Sequence, residues 1–349
     1  MDYNYYMRRC IELAKQGEGN VSPNPLVGCV VLDSNENVIS EGYHHYCGGN
    51  HAERDALLKL SPAATIGGTL FVNLEPCSHF GKTPPCADLI IDRGIKRVVI
   101  GMQDVNPIVA GNGIAKLKAS GIEVVEHVLE EECKNLNEVF IKNMTQHKTF
   151  VAIKTATTLD GKTATSTGSS KWITSNAARE EVQTIRHRYD AILTSSSTVL
   201  GDNPTMAHKR KIILDRELKT DFLKSKIYQN GEIFVFHAPN IQAPEIKNIK
   251  FVPTPVTANK LDIEFILNKT YEFGIMSILV ETGGKLNGAF LDFTDKIYQF
   301  IAPKIVGDNT ALSCFDYRKV NNISDSKSFS IKEVKNFPPD ILLTLIPNT

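Results

Sequence analysis

Neither charge dominates this 349-residue chain: 39 Lys and Arg stand against 39 Asp and Glu, and tryptophan occurs once. Balanced charge argues against a nucleic-acid partner, which requires a basic face or surplus. No apolar run approaches the roughly 18 residues that a membrane-spanning helix needs. The opening MDYNYYMRRCIELAKQGEGN lacks the apolar centre of a signal peptide. No G-x-G-x-x-G follows a strand-like run, so a Rossmann dinucleotide fold is disfavoured. The seven cysteines are odd in number and suit a reducing cytoplasm better than a disulfide framework. What remains is an ordinary globular composition, 42% apolar and 22% charged, long enough for two domains.

The chemistry concentrates between His51 and Cys86. HAERDALLKL is apolar-periodic without Gly or Pro and predicts a helix with His51 and Glu53 in its first turn. CADLIIDRG, introduced by Pro84 and Pro85 and closed by Gly94, predicts a second helix that begins at Cys86. A helix N-terminus favours thiolate over thiol. His51, Cys77 and Cys86 offer one imidazole and two thiolates, a set that suits tetrahedral Zn²⁺ and leaves its fourth position open, as catalytic zinc sites do. Glu53 stands at the acid/base position of the zinc deaminases of nucleobases, in which H-x-E and a later P-C pair occur together. Cys47 also lies close before His51, but Gly48 and Gly49 argue against a shared helix and it is not counted as a ligand. Cys10, Cys29, Cys133 and Cys314 read as packing residues.

The segment SHFGKTPP separates Cys77 from Cys86, a longer insert than most such deaminases carry. HAE followed by EPCSHFGKTPPC resembles the bifunctional deaminase-reductase family of riboflavin biosynthesis, and PNPLVG (23–28) and GYHH (42–45) match the same family. The resemblance implies a phosphorylated pyrimidine substrate, for which the polar insert offers Lys82 and His79 as cations. Asn24, its backbone fixed between two prolines, presents a donor and an acceptor to a pyrimidine edge. In the family the residues matching Asn24 and His44 contact substrate. Glu75 either binds substrate or fixes the Cys77 loop.

Along the first half, a helix over 3–17 is followed by strands at PLVGCVVLD, VISEGYHHY, GTLFVNL, KRVVIGM and IEVVEHV. A short helix at GIAKLKASG and a closing helix at EEECKNLNEVFIKNM complete the alternation. This order predicts a sheet with helices on both faces, a three-layer α/β/α domain with ligands at the carboxyl ends of strands, and the resemblance implies that it is cytidine-deaminase-like. The polar NMTQHKTF places a boundary near 147, giving a zinc-dependent deaminase domain over 1–146 and a second domain over 147–349.

The second half alternates again. IKTATTLDGKTA, SSKWIT, LTSSSTVLGDNP and VETGGKLNGA resemble the reductase half of the same family, a dihydrofolate-reductase-like α/β domain that uses NADPH. SILVETGGKLNGAFLDF also reads by itself as strand, glycine turn and helix, a junction suited to phosphate. By position the resemblance assigns Thr157, Trp172, Thr198, Asp202 and the turn of Gly283, Gly284, Lys285, Leu286, Asn287, Gly288 and Ala289 to NADPH. It assigns Ser170, Arg186, Met206 and Glu281 to the ribose phosphate, with Lys209 or Arg210 as a second cation. Lys154 and Asp160 are candidate proton donors, and the stretch 216–276 carries no motif.

The resemblance further implies a homo-oligomer, a dimer or a tetramer. Its implied reactions are deamination of 2,5-diamino-6-ribosylamino-4(3H)-pyrimidinone 5′-phosphate and then reduction of the ribosyl group to ribityl. Two rivals stand. One is a tRNA or cytidine deaminase with an unrelated appended domain, against which the charge balance and the long insert speak. The other is a non-catalytic zinc and nucleotide-binding module, against which the intact Glu53 speaks.

Overall fold

The computed structural model describes residues 1–79, 84–106, 110–316 and 319–348, and the chain divides into two compact units, Met1–His147 and Lys148–Thr349. In the first, β1 (Gly28–Leu32) and β2 (Val38–Tyr43) form an antiparallel hairpin. Its turn is set by Asp33, whose Oδ1 accepts from the Asn35 and Asn37 amides at 2.9 Å. β3 (Thr69–Leu74) pairs antiparallel with β1, and β4 (Arg97–Met102) and β5 (Glu123–Val125) continue in parallel, giving the order β2-β1-β3-β4-β5.

Successive side chains of a strand face opposite ways. Val30, Leu32 and Phe71 therefore pack against Met7, Cys10 and Leu13 of α1 (Tyr3–Lys15). Cys29, Val31, Leu70 and Val72 meet Ala52 and Leu57 of α2 (Ala52–Leu57) and Ala87 and Ile90 of α3 (Cys86–Asp92) on the other face. A further helix, α4 (Asn112–Ala119), adds Ile114 and Leu117 to that second cluster. The result is three layers. Phe71 is fully buried, 4.9 Å from the Tyr6 ring and 5.9 Å from Tyr3. Phe71→Ala is expected to cost about 3–5 kcal/mol, read as a lowered urea midpoint; a loss below about 1 kcal/mol would contradict this packing.

The closing helix departs from expectation by breaking in two, α5 (Glu130–Leu136) and α6 (Glu138–Gln146). The break falls at Asn137, which is 2% exposed and spends its side chain on a neighbouring loop. Its Oδ1 accepts from Leu26 N at 2.8 Å and its Nδ2 donates to Leu26 O at 3.0 Å. Asn73 Nδ2 donates to the same carbonyl at 2.9 Å. The backbone two residues beyond Asn24 is thus clamped from two sides.

The second unit holds a nine-stranded sheet among its described residues. Its strands are β6 (Phe150–Thr158), β7 (Ala191–Ser195), β8 (Arg210–Leu214), β9 (Glu232–His237), β10 (Ile249–Pro253), β11 (Ser277–Val280), β12 (Lys296–Ala302), β13 (Phe329–Phe337) and β14 (Asp340–Pro347). They lie in the order β10-β9-β8-β7-β11-β6-β12-β14-β13. Pairs from β10 to β12 are parallel, and the last two strands fold back antiparallel. Leu193, Ile212 and Phe234 face one cluster, and Ile192, Ile213 and Val235 the opposite one.

Helices α7 (Asn176–His187), α8 (Ser196–Asp202), α9 (Ile263–Glu272) and α10 (Gly284–Phe290) connect these strands. The motif-free stretch supplies β9, β10 and α9. The segment SSSTVL opens α8 because Ser195 caps it, accepting from the Thr198 amide at 3.4 Å. Among the described residues no helix is long and apolar enough to cross a membrane.

Candidate functional site

In the first unit β3 delivers the chain to Cys77, His51 is the N-cap of α2 rather than part of its first turn, and Cys86 is the first residue of α3. His51 Nδ1 lies 3.5 Å from Sγ of both cysteines, and the three donor atoms fall within 4.8 Å of one another. Ligands at ordinary zinc distances and the tetrahedral angle stand about 3.6 Å apart, so these residues fit the ion. The Cys86 thiol and His51 hydrogen-bond to Cys77 and hold its thiol well below the usual range, helped by the Cys86 backbone N–H at 3.3 Å. The same thiol pair and burial push Cys86 up. One thiolate is therefore ready, and metal binding displaces the remaining proton. Glu53 is 3% exposed, and burial, with Cys77 nearby, pushes its carboxyl up to about 7.

His51, Glu53 and Cys77 line a cavity of about 300 Å³ together with Asn24, His44, Cys47 and His79, while Cys86 lies buried behind them. His44 is buried and pushed down by that burial, so it is neutral. Its Nδ1 lies 2.8 Å from Asn50 O and must donate, which leaves Nε2 to accept from Asn24 Nδ2 at 3.0 Å. Asn24 and His44 thus act as one hydrogen-bonded unit. Cys47 lines the cavity but stands outside the His51, Cys77 and Cys86 group. His79 is exposed at the rim. Lys82 lies outside the described residues.

Sequence reading missed Asp104, Asn106 and Phe140, which line the same cavity. Asp104 and Asn106 follow the carboxyl end of β4, a position that the strand-end rule alone would have flagged. Burial pushes Asp104 up to about 6, with Glu75 and Cys77 adding to the effect. Glu75 resolves as a loop holder. Its Oε1 accepts from Gly113 at 2.9 Å and Ile114 at 3.1 Å, and Oε2 from Gly111 at 3.0 Å and Asp104 at 3.2 Å. This carboxylate satisfies the open amides at the start of α4. A Cβ at Gly113 would stand 2.0 Å from the Pro76 carbonyl oxygen, so only glycine fits there.

In the second unit the parallel strands end at one edge. Glu281 follows β11, and its backbone N–H donates to Leu193 O of neighbouring β7 at 2.9 Å. Its carboxylate accepts from Arg186 Nε at 2.6 Å, Arg186 Nη2 at 2.9 Å and Lys154 Nζ at 3.3 Å. Burial opposes ionisation of Glu281, yet Lys154 and Arg186 hold its carboxyl at about 2. Arg186 and Glu281, both expected at the substrate, are brought together, and Lys154 joins them. Thr198 and Gly283 follow β7 and β11 on the same edge. Gly283 is exposed, and a Cβ there would meet nothing within 4 Å. An open backbone at a strand-to-helix junction fits the pyrophosphate of a dinucleotide. Lys285 and Asp202 are exposed, Gly284, Leu286, Ala289 and Ser170 half-buried. Trp172 is 65% exposed, with the Arg179 guanidinium 4.3 Å from its ring centre.

Several expected contacts do not hold. Thr157 is fully buried with its hydroxyl 3.4 Å from Phe300 O, while Lys154 and Ala156 are the half-exposed residues of β6. Strand alternation puts Ala156, not Thr157, on the Lys154 face. Met206 is 8% exposed and packs with Ile192, Val199 and Ile213, an apolar core role instead of a substrate contact. Arg210 opens β8 at the opposite edge of the sheet, where it pairs with Glu232 at 2.9 Å and Gly274 O at 3.2 Å. Lys209 immediately precedes it there, its carbonyl accepting from Glu232 N, so neither supplies the second cation at the Glu281 edge. Asn287 and Gly288 are buried; Asn287 accepts from Thr282 Oγ1 at 2.6 Å and donates to Cys314 O at 3.1 Å, bracing the glycine turn from inside. Asp160 accepts from Thr158 Oγ1 and the Val306 and Gly307 amides, which hold it ionised at about 2 and remove it as a proton donor.

The two units define an enzyme class: a zinc deaminase of the cytidine-deaminase type joined to a reductase of the dihydrofolate-reductase type. Residues 1–102 match the cytidine and deoxycytidylate deaminase zinc-binding region, and residues 149–343 match the RibD C-terminal domain. The chain belongs to the RibD family, the bifunctional deaminases and reductases of riboflavin biosynthesis, which use zinc for the first activity and NADPH for the second.

It is 39% identical to the riboflavin biosynthesis protein RibD of Actinobacillus pleuropneumoniae, over 98% of this chain and 94% of the relative. Identity to RibD of Escherichia coli K12 is 34%, over 99% of this chain and 100% of the relative. A crystal structure of a diaminohydroxyphosphoribosylaminopyrimidine deaminase/5-amino-6-(5-phosphoribosylamino)uracil reductase from Thermotoga maritima is 40% identical, covers 99% of both chains and superposes with a TM-score of 0.88. Both halves match the same relatives, so both rival readings are disfavoured.

Proposed function

We propose that residues 1–146 deaminate 2,5-diamino-6-ribosylamino-4(3H)-pyrimidinone 5′-phosphate and that residues 147–349 then reduce its ribosyl group to ribityl. The observation that carries this reading is the group of His51, Cys77 and Cys86, with His51 Nδ1 3.5 Å from each sulfur, beside the buried Glu53, where His51, Cys77 and Glu53 share one cavity with Asn24 and His44. Zinc held by that tripod supplies Lewis-acid activation of water near neutral pH. Glu53 takes the proton of the attacking water, passes it to the ring nitrogen and helps the amine depart. Asn24, its amide nitrogen engaged by His44, keeps its oxygen to accept from a substrate amine. His79 and Lys82 meet the phosphate.

NADPH supplies the hydride in the second unit. Thr198, Asp202, Trp172 and the Gly283 to Leu286 turn with Ala289 bind it, while Ser170, Arg186 and Glu281 orient the ribose phosphate. Lys154 is the remaining candidate to protonate the opened sugar. Equal numbers of acidic and basic residues favour a small substrate over nucleic acid, and the seven unpaired cysteines suit the cytoplasm. We also infer a homo-oligomer, dimer or tetramer, which light scattering of the purified chain would measure.

The test is anaerobic incubation of the zinc-loaded chain with the diaminopyrimidine nucleotide, with and without NADPH, following ammonia and absorbance. Ammonia is expected in both arms and NADPH oxidation only after ammonia appears. NADPH loss that precedes or bypasses ammonia release would overturn the order of steps.

A further inference from the structure

The sole tryptophan of the chain stands 65% exposed, an unusual position for a large aromatic ring unless something uses its face. Arg179 covers one side, its guanidinium 4.3 Å from the ring centre, and is itself anchored by donating to Thr174 O at 2.7 Å. The backbone beneath the ring is held from elsewhere. Lys304 Nζ donates to Trp172 O and to Ile173 O, both at 2.8 Å. Lys304 O in turn accepts from Leu159 N at 2.8 Å. Lys304 lies just past β12 and Leu159 just past β6, at the carboxyl ends of two neighbouring parallel strands. Next to β6 on its other side is β11, which leads to Glu281 and Gly283. One ammonium therefore ties the Trp172 segment to the edge where the second unit gathers its site.

We infer that Lys304 is a positioning residue for the reductase: by gripping the Trp172 and Ile173 carbonyls it holds the indole as a stacking surface for an aromatic ring of NADPH. The inference rests on the reading that Trp172 touches the cofactor. A lysine ammonium with two carbonyl acceptors makes charge-assisted bonds, stronger than neutral ones, and no covalent step is asked of it. Without it the Trp172 and Ile173 carbonyls lose their shared donor, and the indole gains freedom that cofactor binding must remove.

Lys304→Met, Lys304→Arg and Trp172→Phe in the full-length, zinc-loaded chain test this. Because Trp172 is the only tryptophan, its fluorescence anisotropy and its quenching by NADPH report this one side chain. Lys304→Met is expected to lower the anisotropy and raise the KM for NADPH about tenfold, with kcat changed far less and ammonia release intact. Lys304→Arg, which restores a cationic donor, should recover most of both. Trp172→Phe should weaken NADPH binding by itself. If Trp172→Phe weakens binding but Lys304→Met leaves anisotropy and KM unchanged, the positioning role is wrong. If Trp172→Phe leaves NADPH binding unchanged, the underlying contact is wrong and the inference falls with it.

Discussion

Glu53→Gln is expected to lower ammonia release by about 10²–10⁴-fold while zinc remains bound. The amide keeps the size of the carboxylate within a side chain that is 3% exposed, so the packing around α2 survives. It replaces none of His51, Cys77 and Cys86, whose backbones are set by the N-cap of α2 and the first turn of α3, and the amide keeps a hydrogen-bonding oxygen beside the Cys86 thiol that Glu53 touches. What disappears is the ability to take a proton and give it back. Burial pushes the native carboxyl up to about 7, so it exchanges protons near neutral pH at little cost. Zinc content by atomic emission and ammonia by coupled assay separate the two roles. Full metal with retained turnover would remove Glu53 from the mechanism; metal lost together with turnover would recast it as a structural support.

Glu281→Ala should be the most damaging single change in the second unit, destabilising it by about 3–5 kcal/mol and stopping NADPH oxidation. Lys154 and Arg186 have side chains only 17% exposed, and both direct their charge at this one carboxylate. Its removal strands two cations in a poorly solvated place, which costs far more than the pair contributes when intact. The pH dependence has a definite sign. The folded carboxyl is held at about 2, below the unfolded value of about 4.3, so its contribution is complete above the unfolded value and fades as pH falls through about 2. Urea midpoints of the native chain and Glu281→Gln should differ by a constant amount above about pH 5 and converge in acid. A difference that widens as pH falls would contradict the assignment.

The zinc site was legible because its ligands come from two short, contiguous motifs whose spacing is fixed by local turns, and helix starts at 52 and 86 follow from chain chemistry nearby. Asp104 and Asn106 were legible only through their place after the carboxyl end of β4, and Phe140 not at all; they reach the cavity because β4 lies beside β3 and because α6 packs where it does. Asn137 breaks the expected closing helix through a contact 111 residues away in sequence, beyond any periodicity argument. In the second unit the departures have three physical sources. Thr157 falls on the buried side of β6, because one step along a strand reverses the face. Lys209 and Arg210 were chosen for charge, but the chain has already crossed to the amino edge of the sheet before β8 begins. Met206 looked like a site residue by position and is a core residue by chemistry. The nine-stranded order itself was out of reach, because β11 inserts between β6 and β7 after a long excursion through β10 and α9.

The contact of Gly113 with Pro76 ties the inheritance of two distant segments together. Any side chain at 113 must shove the carbonyl immediately before Cys77, and Cys77 is one of the three described residues grouped to hold a metal. A variant there is expected to strain the start of α4 and to displace the Cys77 loop together, so the helix after β4 answers to the metal pocket as well as to its own packing.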